Sequence, residues 1–185
     1  PSAGDNKLGD KIMKAVTQFV YGEPYPRRFY KEIYRLRSRM EMELAKETTA
    51  KRNIKTGKGG TVDIEFLVQT LQLLYGKNNI ELQTSNTLAG LESLAFAGII
   101  GNEMAKSLRD AYDLLRKIEG RLRLLDVRLG HVFPTESQKR GQLADLLNRE
   151  NGESLADEVF QTVTWVRSVF DKTFADLQDD LAKNT

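Results

Sequence analysis

The residues best suited to chemistry lie in one run, KTGKGGTVDIEFLVQTLQ, where three glycines and two lysines lead into an apolar segment bearing two acids and two glutamines. The glycines keep Lys55 to Thr61 from being helical, so this loop is expected to expose backbone amides. The helix after it turns its positive dipole end to the same place, and the two together suit an anion such as phosphate or a metal-bound phosphate. The run is not a P-loop: GxxxxGK[ST] is absent, and so is a GxGxxG after a strand. On the predicted helix Glu65, Gln69 and Gln72 fall at i, i+4 and i+7, a polar stripe beside Ile64, Leu67, Val68, Leu71 and Leu74 that something must satisfy. Asp63 and Glu65 also have a plainer reading, since acids in a first helical turn commonly complement the dipole.

Elsewhere the chemistry thins out. With no cysteine, disulfides, zinc thiolate sites and thiol nucleophiles are excluded. His131, the only histidine, has no companion ligand or nucleophile at a fixed spacing and reads as a helix-end residue. Trp165 falls on or near a core stripe, where packing is the expected role. No catalytic set and no metal site stands out.

The elements that must position these residues are helices. Leu8, Ile12, Val16, Phe19 and Val20 predict a first helix ending near Gly22. A second runs from Pro26 to about Thr48, with Phe29, Ile33, Leu36, Met40 and Leu44 inside and its arginines outside. After the glycine loop comes a helix of about four turns. Ser85 or Asn86 caps another, carrying Leu88, Leu91, Leu94 and Ala95. Asn102 is expected to cap a long helix from Ala105 to Leu125, weakest at Gly120 and stopped by Gly130 and Pro134. Thr135 opens a short helix with Leu143, Leu146 and Leu147. A last one, from about Ser154, repeats Ala156, Val159, Phe160, Val163, Val166, Phe170, Phe174, Leu177 and Leu181. No alternating β-branched run occurs, so the expected fold is all-α, an irregular bundle of six to seven helices in one domain over residues 1–185.

At 185 residues, 40% hydrophobic and 29% charged, the chain can bury a core and is not disordered in bulk. No apolar run is long enough for a membrane helix. A cytoplasmic location is expected, and the start PSAGDNKLGDK reads as a cut inside a longer protein. The net charge of +2 hides an asymmetry. From Arg27 to Lys58 eleven basic residues face four acidic ones, whereas from Glu153 onward seven acids face three bases. The basic stretch reads as a solvated helix face with glutamates offering pairs. Nucleic-acid binding is the sharper alternative, but aromatic residues are not interleaved for stacking, and no nucleic-acid or membrane partner is expected.

The run KTGKGGTVDIEFLVQTLQLLYG resembles the signature of the helical domain that follows the nucleotidyltransferase domain in glutamine synthetase adenylyltransferases, at Lys55, Gly59, Gly60, Asp63, Glu65, Phe66 and Gln69. Further similar segments follow in order: TSNTLAGLESLAFAGII, LRDAYDLLRKIEGRLRLL and the proline of HVFP, so the likeness spans roughly residues 35–147. VDIEF and TSNT look more like the adenylylating half of that family than the deadenylylating half. Departures fall at Gly120, where the family often has histidine, and at Leu124 or Leu125, near a family glutamine.

The resemblance implies a part of an enzyme that moves AMP from ATP to a tyrosine of glutamine synthetase, or removes it. Magnesium, ATP and the catalytic aspartates belong to the neighbouring catalytic domain, so no catalytic residue, metal or cofactor is expected in this chain. It further implies Lys55 and the amides of Gly59 and Gly60 as phosphate-side contacts, with Asp63, Glu65 and Gln69 orienting them or holding the interface. The implied partners are that domain, glutamine synthetase and the PII protein. The alternatives are a regulatory module that reads PII or glutamine, and the helical domain of a PII uridylyltransferase.

Overall fold

The computed structural model describes residues 5–26, 28–45, 47–48, 51–126 and 130–183, with side chains through 179. Seven α-helices account for most of them: α1 Asn6–Tyr21, α2 Phe29–Met40, α3 Thr61–Tyr75, α4 Thr87–Phe96, α5 Asn102–Leu125, α6 Ser137–Leu146 and α7 Gly152–Lys183. α2 runs on into one wider π turn, Glu41–Ala45, and two short 3-10 turns lie between α3 and α4. Among the described residues there is no strand, only two isolated antiparallel bridges, Thr48 with Lys51 and Asn53 with Val132. The all-α expectation holds. No helix among the described residues is long and apolar enough to cross a membrane.

Two hydrophobic clusters share α5 and α7 as common walls. In the first, α3 (Ile64, Leu67, Val68, Leu71) meets Leu91 and Leu94 of α4, Leu108 of α5, Phe170 of α7 and Tyr30 of α2. In the second, Leu115, Ile118 and Leu122 of α5 meet Leu143 of α6, Leu155, Val159 and Val163 of α7, and Ile54 from the glycine loop. Each such side chain, once fully buried, contributes roughly 1.5–3 kcal/mol. The apolar stripe of α7 advances by three or four residues through Val159, Val163, Val166, Phe170 and Phe174, which is why one helix serves both clusters.

Several expectations need correction. Arg37, placed on the outer face of α2, is fully buried, while Leu36 and Leu44, placed inside, are exposed. The Arg37 guanidinium finds partners that only the folded chain supplies. Phe160, expected in the core, is 54% exposed, with the Arg52 guanidinium over its ring at 5.2 Å. Asn86 caps α4 as expected, accepting from the Ala89 amide. Two other caps differ. Asn102 is the first residue of α5 behind Gly101, and Glu136 rather than Thr135 precedes α6. The last helix starts at Gly152, close to the expected Ser154, and Asn151 Oδ1 accepts from the Glu153 and Ser154 amides. Gly120 does not break α5, because it lies on an exposed face with open space around it. The helix ends at Leu125, earlier than Gly130. α1 has no buried residue.

Candidate functional site

The glycine loop is built to fold tightly on itself. The Asn53 side chain accepts from the Lys55 and Thr56 amides, and Glu47 accepts from the amides of Asn53 and Lys58. Gly59 sits at φ +72°, in the left-handed region that favours glycine, and a Cβ there would run into the Val163 carbonyl of α7. A Cβ on Gly60 would press on the Lys55 carbonyl at 2.5 Å. The amides of both glycines are turned inward. Gly59 donates to Asp63 Oδ2 at 2.7 Å and Gly60 to the Gly57 carbonyl at 3.1 Å. The expected display of these amides to an outside anion is therefore corrected: close approach to α7 requires the glycines, and the loop consumes their donors.

Asp63 explains what the loop folds around. Its side chain is fully buried, with Oδ1 2.6 Å from Nε of the equally buried Arg37 and Oδ2 3.4 Å from Nη1 of Arg167. Arg37 also donates to the Gly57 carbonyl at 2.8 Å. Arg167 bonds Glu41 at 2.8 Å and Asp171 at 2.9 Å. The acid at the head of α3 thus joins α2, the loop and α7, a stronger tie than a solvated first-turn acid makes. Burial raises its carboxyl above the ordinary range, against the pull of Arg37, the Gly59 amide and Arg167.

A second buried acid, Glu119 of α5, gathers four basic groups from three segments of the chain. Its Oε1 lies 3.5 Å from Lys55 Nζ, 2.9 Å from Arg123 Nη2 and 3.2 Å from His131 Nδ1. Its Oε2 lies 2.5 Å from Arg116 Nη1. Backbone pairing brings the distant partners together. The Ile54 amide donates to the His131 carbonyl at 3.0 Å, and the Phe133 amide to the Arg52 carbonyl at 2.8 Å, so Lys55 and His131 emerge side by side. Burial pushes the Glu119 carboxyl up, but Arg116, Lys55, His131 and Arg123 together outweigh it and hold the group below its usual range. The same crowding, added to burial, keeps His131 below its ordinary value of 6.5 despite the carboxylate.

Tyr112, Arg116, Glu119 and Arg123 form one face of α5, spaced four, three and four residues apart. Glu65 joins this face by accepting from the Tyr112 hydroxyl at 3.0 Å. Two of the expected site residues, Lys55 and Glu65, therefore meet along α5, while Asp63 turns away to the other side of α3. Gln69 lies exposed one turn beyond Glu65, beside an open cavity of about 290 Å³ that Gln72, Thr84 and Thr87 also line. Gln72 closes the polar stripe by donating to the Leu82 and Thr84 carbonyls at 2.7 and 2.9 Å. Sequence reasoning passed over Arg116, Glu119, Arg123 and the role of His131. The one available signal was a glutamate flanked by arginines at i−3 and i+4 on a helix. Among the described residues no group of three acidic or histidine side chains is arranged to hold a metal ion.

Comparison with known proteins adds the context. The family model described as GlnD PII-uridylyltransferase matches residues 27–174. Similar curated proteins include the bifunctional glutamine synthetase adenylyltransferase/adenylyl-removing enzyme of Methylococcus capsulatus, 32% identical over 173 residues, 94% of this chain and 18% of that protein. The enzymes of the same name from Mycolicibacterium smegmatis and Streptomyces coelicolor are 34% and 35% identical, each over 74% of this chain and 14% of their own length. The chain thus spans less than a fifth of the curated relatives it matches.

Proposed function

The chain belongs to the GlnD PII-uridylyltransferase family, and from that premise we propose that it is the helical domain of a glutamine synthetase adenylyltransferase, a cytoplasmic enzyme. In this role it packs against a nucleotidyltransferase domain of the same polypeptide. There it helps complete the cleft in which ATP and magnesium, held by that neighbour, meet glutamine synthetase for transfer or removal of AMP. The names of the relatives support the reaction class. The observation that carries the role is the α5 face, where Lys55 and two arginines crowd a single carboxylate and leave positive charge facing outward.

In-line nucleotidyl transfer needs the triphosphate charge neutralised and held, and cationic groups of an adjacent domain supply part of that. Lys55 is the phosphate-side residue in this scheme. Glu65 and Gln69 lie along the same surface as interface residues. Gly59, Gly60 and Asp63 act one step back, fixing the loop that carries Lys55.

The test is adenylylation of glutamine synthetase with ATP and magnesium by this chain alone, by the intact polypeptide, and by the catalytic domain without this chain. Turnover is expected only from the intact polypeptide, or from the two parts recombined. Turnover by this chain alone, or full activity without it, overturns the reading. The description of the matching family model favours one second reading, the helical domain of a PII uridylyltransferase. Assay of the intact polypeptide with PII and UTP decides it, uridylylation of PII supporting that reading and adenylylation of glutamine synthetase the first.

A further inference from the structure

The basic groups around Glu119 are in excess. Lys55, Arg116 and Arg123 are three cationic side chains, and all their described ion pairs end on this one carboxylate. Its single negative charge cannot neutralise all three, and both of its oxygens are already occupied. Each arginine commits one of five N–H donors to Glu119, and Lys55 one of three. The remaining donors have access to water, because the side chains of Lys55, Arg116, Arg123 and His131 are 33%, 49%, 61% and 30% exposed while that of Glu119 is 4% exposed. We propose that these four residues form a binding site for a polyphosphate group, with Glu119 beneath them as the positioning residue that holds their heads in register.

Compactness selects this ligand class. The donors come from a loop, a helix face and the segment after that helix, yet all lie within 3.5 Å of one carboxylate. Such a spot matches a small anion of high charge rather than a nucleic-acid backbone, which needs an extended row of contacts. Guanidinium forks pair bidentately with carboxylate and phosphate alike, but several cations around one spot favour the higher charge and additional oxygens of phosphate. Two sources share the chemistry, the tail of a nucleoside triphosphate and free inorganic pyrophosphate. The inference deepens the proposed function, since ATP is one of those sources, but its test does not run through catalysis.

The experiment titrates the 185-residue chain with inorganic pyrophosphate, and separately with magnesium ATP, while the His131 imidazole is followed by NMR. Pyrophosphate is expected to raise the midpoint of the imidazole titration by adding negative charge beside it. Combined Arg116→Gln and Arg123→Gln changes are expected to weaken binding about tenfold or more. Arg109→Gln, which removes a charge from the same helix where it pairs with Glu92, is expected to leave binding unchanged. If the double change lowers the melting temperature, Lys55→Gln on the loop gives the same comparison. ATP binding as tightly as pyrophosphate identifies the nucleotide as the source, and markedly weaker ATP binding identifies the free anion. An imidazole midpoint unmoved at millimolar pyrophosphate, or equal weakening by Arg109→Gln, overturns the site. Loss of adenylyl transfer with pyrophosphate binding intact would count against the proposed function alone.

Discussion

Two buried carboxylates, Asp63 and Glu119, shift in opposite directions for one reason, the balance between lost hydration and the number of cations gathered. At Asp63 burial wins over Arg37, the Gly59 amide and Arg167, and the carboxyl rises. At Glu119 burial loses to four basic neighbours and the carboxyl falls. Asp63→Asn leaves the fully buried Arg37 without its partner at 2.6 Å. A loss of roughly 3–5 kcal/mol is expected, read from denaturant unfolding. A loss under about 1 kcal/mol would mean that Arg37 is not held as described. Glu119 gives a pH signature. The unfolded chain takes up its proton near the ordinary value of 4.5, which the folded chain resists. Its contribution is therefore complete above that pH and disappears as pH falls through the lower folded value. His131 acts with the same sign from 6.5 downward, because the unfolded imidazole protonates first. Below pH 4.5 unfolding free energies should fall less steeply in Glu119→Gln than in the parent, whereas just below pH 6.5 the fall should be no shallower, because His131 then lacks the carboxylate that raises it.

At the scale of elements, periodicity was a good guide wherever one apolar stripe had one core to face. α3, α4, α5 and α7 were readable for that reason, and Asn86 was readable as a cap because capping is local. The buried arginine of α2 was not. Arg37 looks like its solvated neighbours, and only the approach of Asp63 and Gly57 from later in the chain gives it buried partners. The same limit hid Glu119, whose partners Lys55 and His131 lie far away in sequence and arrive by tertiary pairing. The glycines were legible as a loop, but their purpose was not, since the need for Gly59 is set by Val163 across the fold. α1 is the opposite case, an amphipathic helix correctly expected whose Leu8, Ile12, Met13, Val16 and Phe19 remain exposed. With nothing packed on that face, backbone amides of α1 should exchange with deuterium far faster than those of α5. Equal protection would show that α1 is docked in solution.

For the molecule as a whole, two centres on opposite sides of the α3 head divide the work. The Arg37–Asp63–Arg167 centre locks α2, the glycine loop and α7 together. The Glu119 centre stands on that rigid frame and turns positive charge outward from α5 and Lys55. In the proposed role the first centre gives the loop its shape and the second meets the phosphates of a nucleotide bound by the neighbouring domain. The most direct measurement is the ATP dependence of adenylyl transfer by the intact polypeptide carrying Lys55→Gln, with Arg109→Gln as the matched loss of charge on α5. The expected result is a KM for ATP raised about tenfold or more by the Lys55 change alone, as loss of a charge-assisted phosphate contact implies. An unchanged KM and kcat in Lys55→Gln, or an equal rise in Arg109→Gln, would contradict the account.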